Sequence, residues 1–175
     1  MENMIEFLKT RRSIRKFQDR PVEEEKIEAL MKAALLAPSS KSSRPWHFVV
    51  VDDKEKLQKM AESREMGSQF LSGAPLAVLV LAEEKKSNVW VEDCSIAALL
   101  IQLAAHDLGL GSCWVQVRNR IKEEGVSTEN FLKEVFEVPD GMKMECIIGI
   151  GYKDEEKRPV DEAKLLMDRV HRNKF

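Results

Sequence analysis

The chain has 175 residues, 43% hydrophobic and 33% charged, the balance of a globular protein built as a single domain over 1–175. Twenty-eight Lys and Arg against thirty Asp and Glu leave a net charge of −2, which argues against a general nucleic-acid binder or a polybasic membrane-surface protein. Uncharged stretches such as Phe70–Ala82 fall short of the about 20 residues a bilayer requires, and Met1–Glu6 lacks the basic-then-apolar order of a signal peptide. A cytoplasmic location is expected. Cys94, Cys113 and Cys146 are too few and too far apart for a disulfide framework, and His47, His106 and His171 show no metal-ligand spacing.

Met4–Thr10 suits a short helix. Ile27, Leu30, Met31 and Ala34 recur at helical spacing and predict a helix over Glu23–Leu36, with Glu23, Glu24 and Glu25 at the positive end of its dipole. Pro38–Pro45 breaks that pattern as a polar loop and runs into a strand, Trp46–Val51. A helix over Asp52–Glu62 and a strand over Leu76–Leu81 follow. Asn88–Leu108 predicts a long helix apolar on nearly every side, which must be covered on nearly every side, as a central helix or as half of a subunit interface. Ser112–Val117 predicts a third strand, Asn130–Phe136 an amphipathic helix, Pro139–Gly141 a turn and Met144–Gly151 a fourth strand. The charged tail from Tyr152 is expected to end in a helix over Glu162–Arg172. Alternating elements predict four or five strands with helices on both faces of the sheet.

Three segments could carry chemistry. Lys9–Lys16 holds five cations in eight residues of an acidic chain. Its plainer reading is a solvated charged turn; its functional reading is a phosphate pocket, because guanidinium groups bind phosphate oxygens in pairs. A nucleic-acid patch has no second basic block or aromatic cluster to support it. The Pro38–Trp46 loop offers serines and amides to a polar ligand, or simply caps the helix before it. In Leu108–Trp114, Gly109 and Gly111 follow a helix and precede a strand, the reverse of a dinucleotide fingerprint. Their plain role is a cap and a turn; their functional one is close approach of backbone to a flat ligand. Gly149-x-Gly151 lacks the third glycine of a fingerprint as well.

Taken in order, Arg11-Arg12-Ser13-Ile14-Arg15, Ala37-Pro38-Ser39-Ser40, Gly109-Leu110-Gly111-Ser112-Cys113-Trp114, Val138-Pro139-Asp140-Gly141 and Ile148-Gly149-x-Gly151-Tyr152 resemble the nitroreductase family of FMN-dependent oxidoreductases, from about Met4 to Val160. The resemblance implies an α+β fold: an α/β/α sandwich with a mixed, mostly antiparallel sheet flanked by helices, in an intertwined homodimer with FMN at the subunit interface. It implies that Arg11, Ser13 and Arg15 hold the FMN phosphate and ribityl chain with Arg12 close by, and that Lys157 and Arg158 complete that site. Pro38, Ser39 and Ser40 would reach the flavin of the other subunit. Trp114, Val115, Gln116 and Val117 would lie along the isoalloxazine with an amide near N5, and Gln69 at its pyrimidine edge. It further implies hydride transfer from NADH or NADPH through the flavin to a nitroaromatic, quinone or similar small-molecule acceptor in a ping-pong sequence. Such chemistry belongs to the cofactor and requires no catalytic side chain. Only Ala82–Val89 separates the second strand from the long helix, which leaves the substrate side lightly covered and keeps open an alternative, an FMN-binding sensor or carrier module without turnover.

Overall fold

The computed structural model describes residues 3–175. Asn3 caps α1, Met4–Thr10, by accepting from the Ile5 N–H at 3.0 Å. Helix α2 covers Glu24–Leu35, with Glu23 at its N-cap. Strand β1, Trp46–Val51, is followed by α3, Lys54–Ala61, whose cap Asp53 accepts from the Lys56 N–H at 2.8 Å. Strand β2, Leu76–Glu83, leads to α4, Trp90–Asp107, and β3, Gly111–Gln116. A small hairpin of β4, Ile121–Glu123, and β5, Val126–Ser127, comes before α5, Thr128–Val135, and β6, Met142–Gly151. The sequence reading missed this hairpin because its strands are too short to show a period of two.

The main sheet has the order β1-β2-β6-β3 with every pair antiparallel. A parallel bridge between Ser13 and Ser112 makes it mixed. Central β2 is buried on both faces, so it reads as a continuous apolar run: Leu76, Val78 and Val80 face α2 and α4, and Ala77, Leu79 and Leu81 face α3 and α5. Helices therefore cover both faces, as the alternation of elements predicts.

The expected C-terminal helix over Glu162–Arg172 does not form. Two 3₁₀ turns, Glu162–Lys164 and Met167–Arg169, stand there on a fully exposed tail. A short helix is marginal without a surface to pack against, and among the described residues this segment has none. Helix α4 buries Cys94, Ala97, Ala98, Ile101 and Ala105 against the sheet and α2, yet leaves Ile96 39% and Leu99 47% exposed.

Candidate functional site

From Arg11 the chain leaves α1 in extended conformation and lies along the outer edge of β3. Ile14 fixes the register: its N–H donates to the Ser112 carbonyl at 3.0 Å and its side chain is 3% exposed. A Cβ on Gly111 would sit 2.8 Å from Ile14 Cβ. The close approach expected at Gly111 is thus made by the chain's own Ile14. Gly109, at φ +77°, ends α4 as expected.

The segment beyond Ile14 is zipped to the C-terminal tail. Gln18 N–H donates to the Tyr152 carbonyl at 2.9 Å, and Asp154 N–H to the Lys16 carbonyl at 2.9 Å. Two stretches some 140 positions apart are thereby joined around a cleft of about 690 Å³, whose lining includes Arg11, Arg12, Ser112 and Lys157 together with the acids Asp154, Glu155 and Glu156. Three of the predicted phosphate residues, Arg11, Arg12 and Lys157, share that wall. Arg158 stands behind it, its carbonyl accepting from the Arg12 guanidinium. Ser13 is held against Ser112 by the parallel bridge.

Arg15 is tied through its backbone. Its N–H donates to Glu155 Oε1 at 2.6 Å, and Glu155 Oε2 lies 2.6 Å from Lys157 Nζ. The Arg15 N–H first, and Lys157 after it, hold the Glu155 carboxyl below the usual carboxylate range. Glu155 is the latch that brings Lys157 to the cleft, and as one acid among many in the tail it carries no signal in the sequence. Under the basic segment lies Cys113, whose thiol burial pushes up against the pull of Arg15 and Ser13.

Past Ser112, no strand among the described residues pairs with the outer edge of β3. In an antiparallel strand alternate residues turn their backbone groups to alternate sides. Ser112 accepts from Ile14 on the outer side, and Val117 N–H donates inward to the Glu145 carbonyl at 3.1 Å. Trp114 and Gln116 therefore present backbone outward, whereas Val115 and Val117 turn theirs toward β6. Consistently, the Gln116 carbonyl accepts from Arg64 Nη1 at 3.4 Å. The four-residue stretch named from sequence thus divides into two outward and two inward residues. From Ser112 to Gln116 the edge runs about 14 Å.

Gln69 sits beside this edge with its amide engaged by its own loop. Nε2 donates to the Arg64 and Glu65 carbonyls at 3.2 and 3.0 Å, and Oε1 accepts from the Gly67 N–H at 2.8 Å. It orders the loop that carries Arg64, a residue the sequence reading did not single out.

The structure does not bring Pro38, Ser39 and Ser40 to the cleft. Their loop leads into β1, the opposite edge of the sheet from β3. Ser40 N–H donates to Asp93 Oδ1 at 2.8 Å in the first turn of α4, whereas the cleft touches His106 in its last turn, about 20 Å further along the helix axis. Asp93, 3% exposed, also accepts from Ser87 Oγ at 2.8 Å. Lys41, Ser42 and Arg44 are non-glycine residues at φ 52°, 53° and 46°, the kind of backbone strain that clusters at ligand clamps.

Fold and cleft together define an α+β domain that brings Arg11 and Arg12 from one end of the chain and the mixed charges of Lys153–Lys157 from the other to one end of a free strand edge. The Nitroreductase family profile matches residues 8–65 and 61–152. A protein of Archaeoglobus fulgidus, provisionally named NADH dehydrogenase/NAD(P)H nitroreductase, is 41% identical over 180 residues, covering 100% of both chains. The solved FMN-dependent nitroreductase of Clostridium difficile R20291 superposes with a TM-score of 0.97 at 53% identity, over 98% of this chain and 100% of that one. An iodotyrosine deiodinase of Haliscomenobacter hydrossis is 26% identical, over 86% of this chain and 79% of its own. The chain belongs to the nitroreductase family.

Proposed function

We propose that this protein is an FMN-dependent oxidoreductase that uses NADH or NADPH to reduce nitroaromatic, quinone or similar acceptors, working as a homodimer with the flavin at the subunit boundary. The observation that carries the reading is the continuity of the Arg11–Arg12–Lys157 cleft, through Ser112, with the outward backbone of Trp114 and Gln116. This fits FMN: a phosphate of about −2 charge calls for converging cations, and a flat polar ring suits an unpaired strand edge.

When bound, FMN would supply the redox chemistry, hydride transfer between a nicotinamide and the acceptor in a ping-pong sequence. The chain's residues bind and orient. Arg11, Arg12 and Lys157 neutralise the phosphate, with Glu155 keeping Lys157 in place. Ser13 and Arg15 line the way from phosphate to ring, and Arg158 braces Arg12. The Gln116 or Trp114 N–H is the donor offered to the ring edge. Pro38, Ser39 and Ser40 serve the partner's flavin, because within one chain they lie at the far edge of the sheet.

The purified protein is expected to show a flavin absorption band that bleaches with NADH or NADPH under anaerobic conditions and returns on adding a quinone or a nitro compound. No nicotinamide oxidation with any such acceptor overturns the activity. A band that persists through the nicotinamide favours the sensor or carrier reading, which the short link between β2 and α4 supports. Arg11→Ala is expected to weaken FMN binding by roughly 1.5–3 kcal/mol, about 10- to 150-fold, in a fluorescence titration. Unchanged affinity removes Arg11 from the phosphate site.

A further inference from the structure

Glu145 lies in the middle of β6 and is 4% exposed, among apolar neighbours. It is the extra residue of a bulge: Val80 pairs with Cys146 and Leu81 with Met144, leaving Glu145 unopposed. Its backbone carbonyl accepts from both Val117 and Arg118 N–H at 3.1 Å. Its side chain is poorly compensated for a buried acid. Oε1 accepts from Gln116 Nε2 at 3.3 Å, and Oε2 is buried with no hydrogen-bond partner among the described residues. An apolar side chain of similar size would cost less at this position.

What the carboxyl touches explains its presence. Gln116 Oε1 accepts from the Trp114 indole N–H at 2.9 Å, while Gln116 Nε2 donates to Glu145 and to the Arg118 carbonyl at 3.3 Å each. These contacts leave the Gln116 amide a single orientation and link a buried acid to an indole through one side chain. Trp114 and Gln116 are also the two residues whose backbone faces outward on the free edge of β3. We propose that Glu145 is a positioning residue for that edge: through Gln116 and Trp114 it holds the strand segment that meets the flavin, and its charge is felt by the bound ring. The clamp stands on the geometry alone, whereas its effect on a ring rests on the flavin reading.

The groups packed around the carboxyl set its ionisation. Burial, first, and the nearby Glu92 of α4 favour the neutral acid; the Gln116 amide and Arg118 favour the anion. The buried thiols Cys94 and Cys146 also lie close enough to feel the Glu145 carboxyl, and neither carries positive charge. The carboxyl therefore titrates above the usual carboxylate range.

Two measurements on the full chain separate the clamp from the flavin. In flavin-free protein, the indole N–H resonance of Trp114, assigned with Trp114→Phe, is expected to shift in one step as pH rises through the Glu145 titration and to stay flat in Glu145→Gln. This readout follows wild type alone even where Glu145→Gln folds poorly. An indole resonance in wild type that ignores pH overturns the clamp. With FMN bound, the midpoint potential is expected to agree between wild type and Glu145→Gln below that step and to lie lower in wild type above it, because a buried anion opposes added negative charge. Equal potentials at every pH overturn the effect on the ring. An indole that titrates in a wild type that takes up no FMN sustains the clamp and overturns the flavin reading.

Discussion

A methyl group on Gly111 would meet both Cβ and Cγ2 of Ile14 at 2.8 Å, and both atoms belong to a β-branched side chain with little freedom to move. Gly111→Ala therefore pushes the Arg11–Arg15 segment off β3. The expected cost is about 1–3 kcal/mol of stability, the range for overpacking, read as a lowered melting temperature. Because Ile14 fixes the register of that segment, FMN affinity is expected to fall in the same variant. Unaltered melting would show that the segment yields without strain. At this scale the sequence was informative wherever a residue broke with its background: the five cations of Lys9–Lys16 in an acidic chain marked Arg11 and Arg12. It was silent on Glu155 and Glu145. The first is one acid among many until the tail folds back, and the second becomes a buried acid only because a bulge in β6 turns it inward.

Tyr152 joins three elements just past the end of β6. Its hydroxyl donates to Glu23 Oε2 at 2.6 Å at the cap of α2 and accepts from Lys26 Nζ at 2.8 Å, which also donates to the Leu108 carbonyl beyond α4 at 3.2 Å. The Arg20 guanidinium lies 3.8 Å from the ring centroid. The Tyr152 hydroxyl, before any other contact, pulls the Glu23 carboxyl from 4.5 down to about 2. A carboxyl whose pKa is lower folded than unfolded adds stability above the unfolded value and loses it as pH falls toward the folded one. Tyr152→Phe is expected to be less stable than wild type near neutral pH. The gap to wild type should narrow between pH 4.5 and about 2, as denaturant melts at several pH values would show. A gap that widens in acid would assign the loss to packing. The helices were legible in the sequence: α2, α3, α4 and α5 lie within about two residues of their predicted spans, α2 from the helical spacing of its apolar residues and its acidic start, α4 from an apolar stretch of helical length. The tail did not follow its own pattern, because Leu165, Leu166 and Met167 are 49%, 55% and 67% exposed with nothing among the described residues to cover them.

Over the whole molecule, apolar surface remains uncovered in places that one chain cannot close. Ile96 and Leu99 stand out from α4, Met4 and Ile5 are 64% and 54% exposed on α1, and Leu36 is 81% exposed after α2. Scattered singly these would be ordinary, but an apolar side of the longest helix is the mark of an interface. The Pro38–Pro45 loop points the same way: it is strained at Lys41, Ser42 and Arg44, anchored to α4 through Asp93, and placed at the edge of the sheet away from the cleft. Assembly and flavin binding should then fail together. In the proposed homodimer, Leu99→Glu would place an unpaired carboxylate in a closed interface, a loss of several kcal/mol that association cannot offset. It is expected to elute as a monomer with wild-type secondary structure and to retain little FMN, whereas Arg11→Ala should elute as wild type while binding FMN weakly. A monomeric Leu99→Glu that holds FMN with full affinity would place the flavin within one chain. A wild type that is itself monomeric while holding FMN would leave the uncovered side of α4 without its partner and separate assembly from flavin binding.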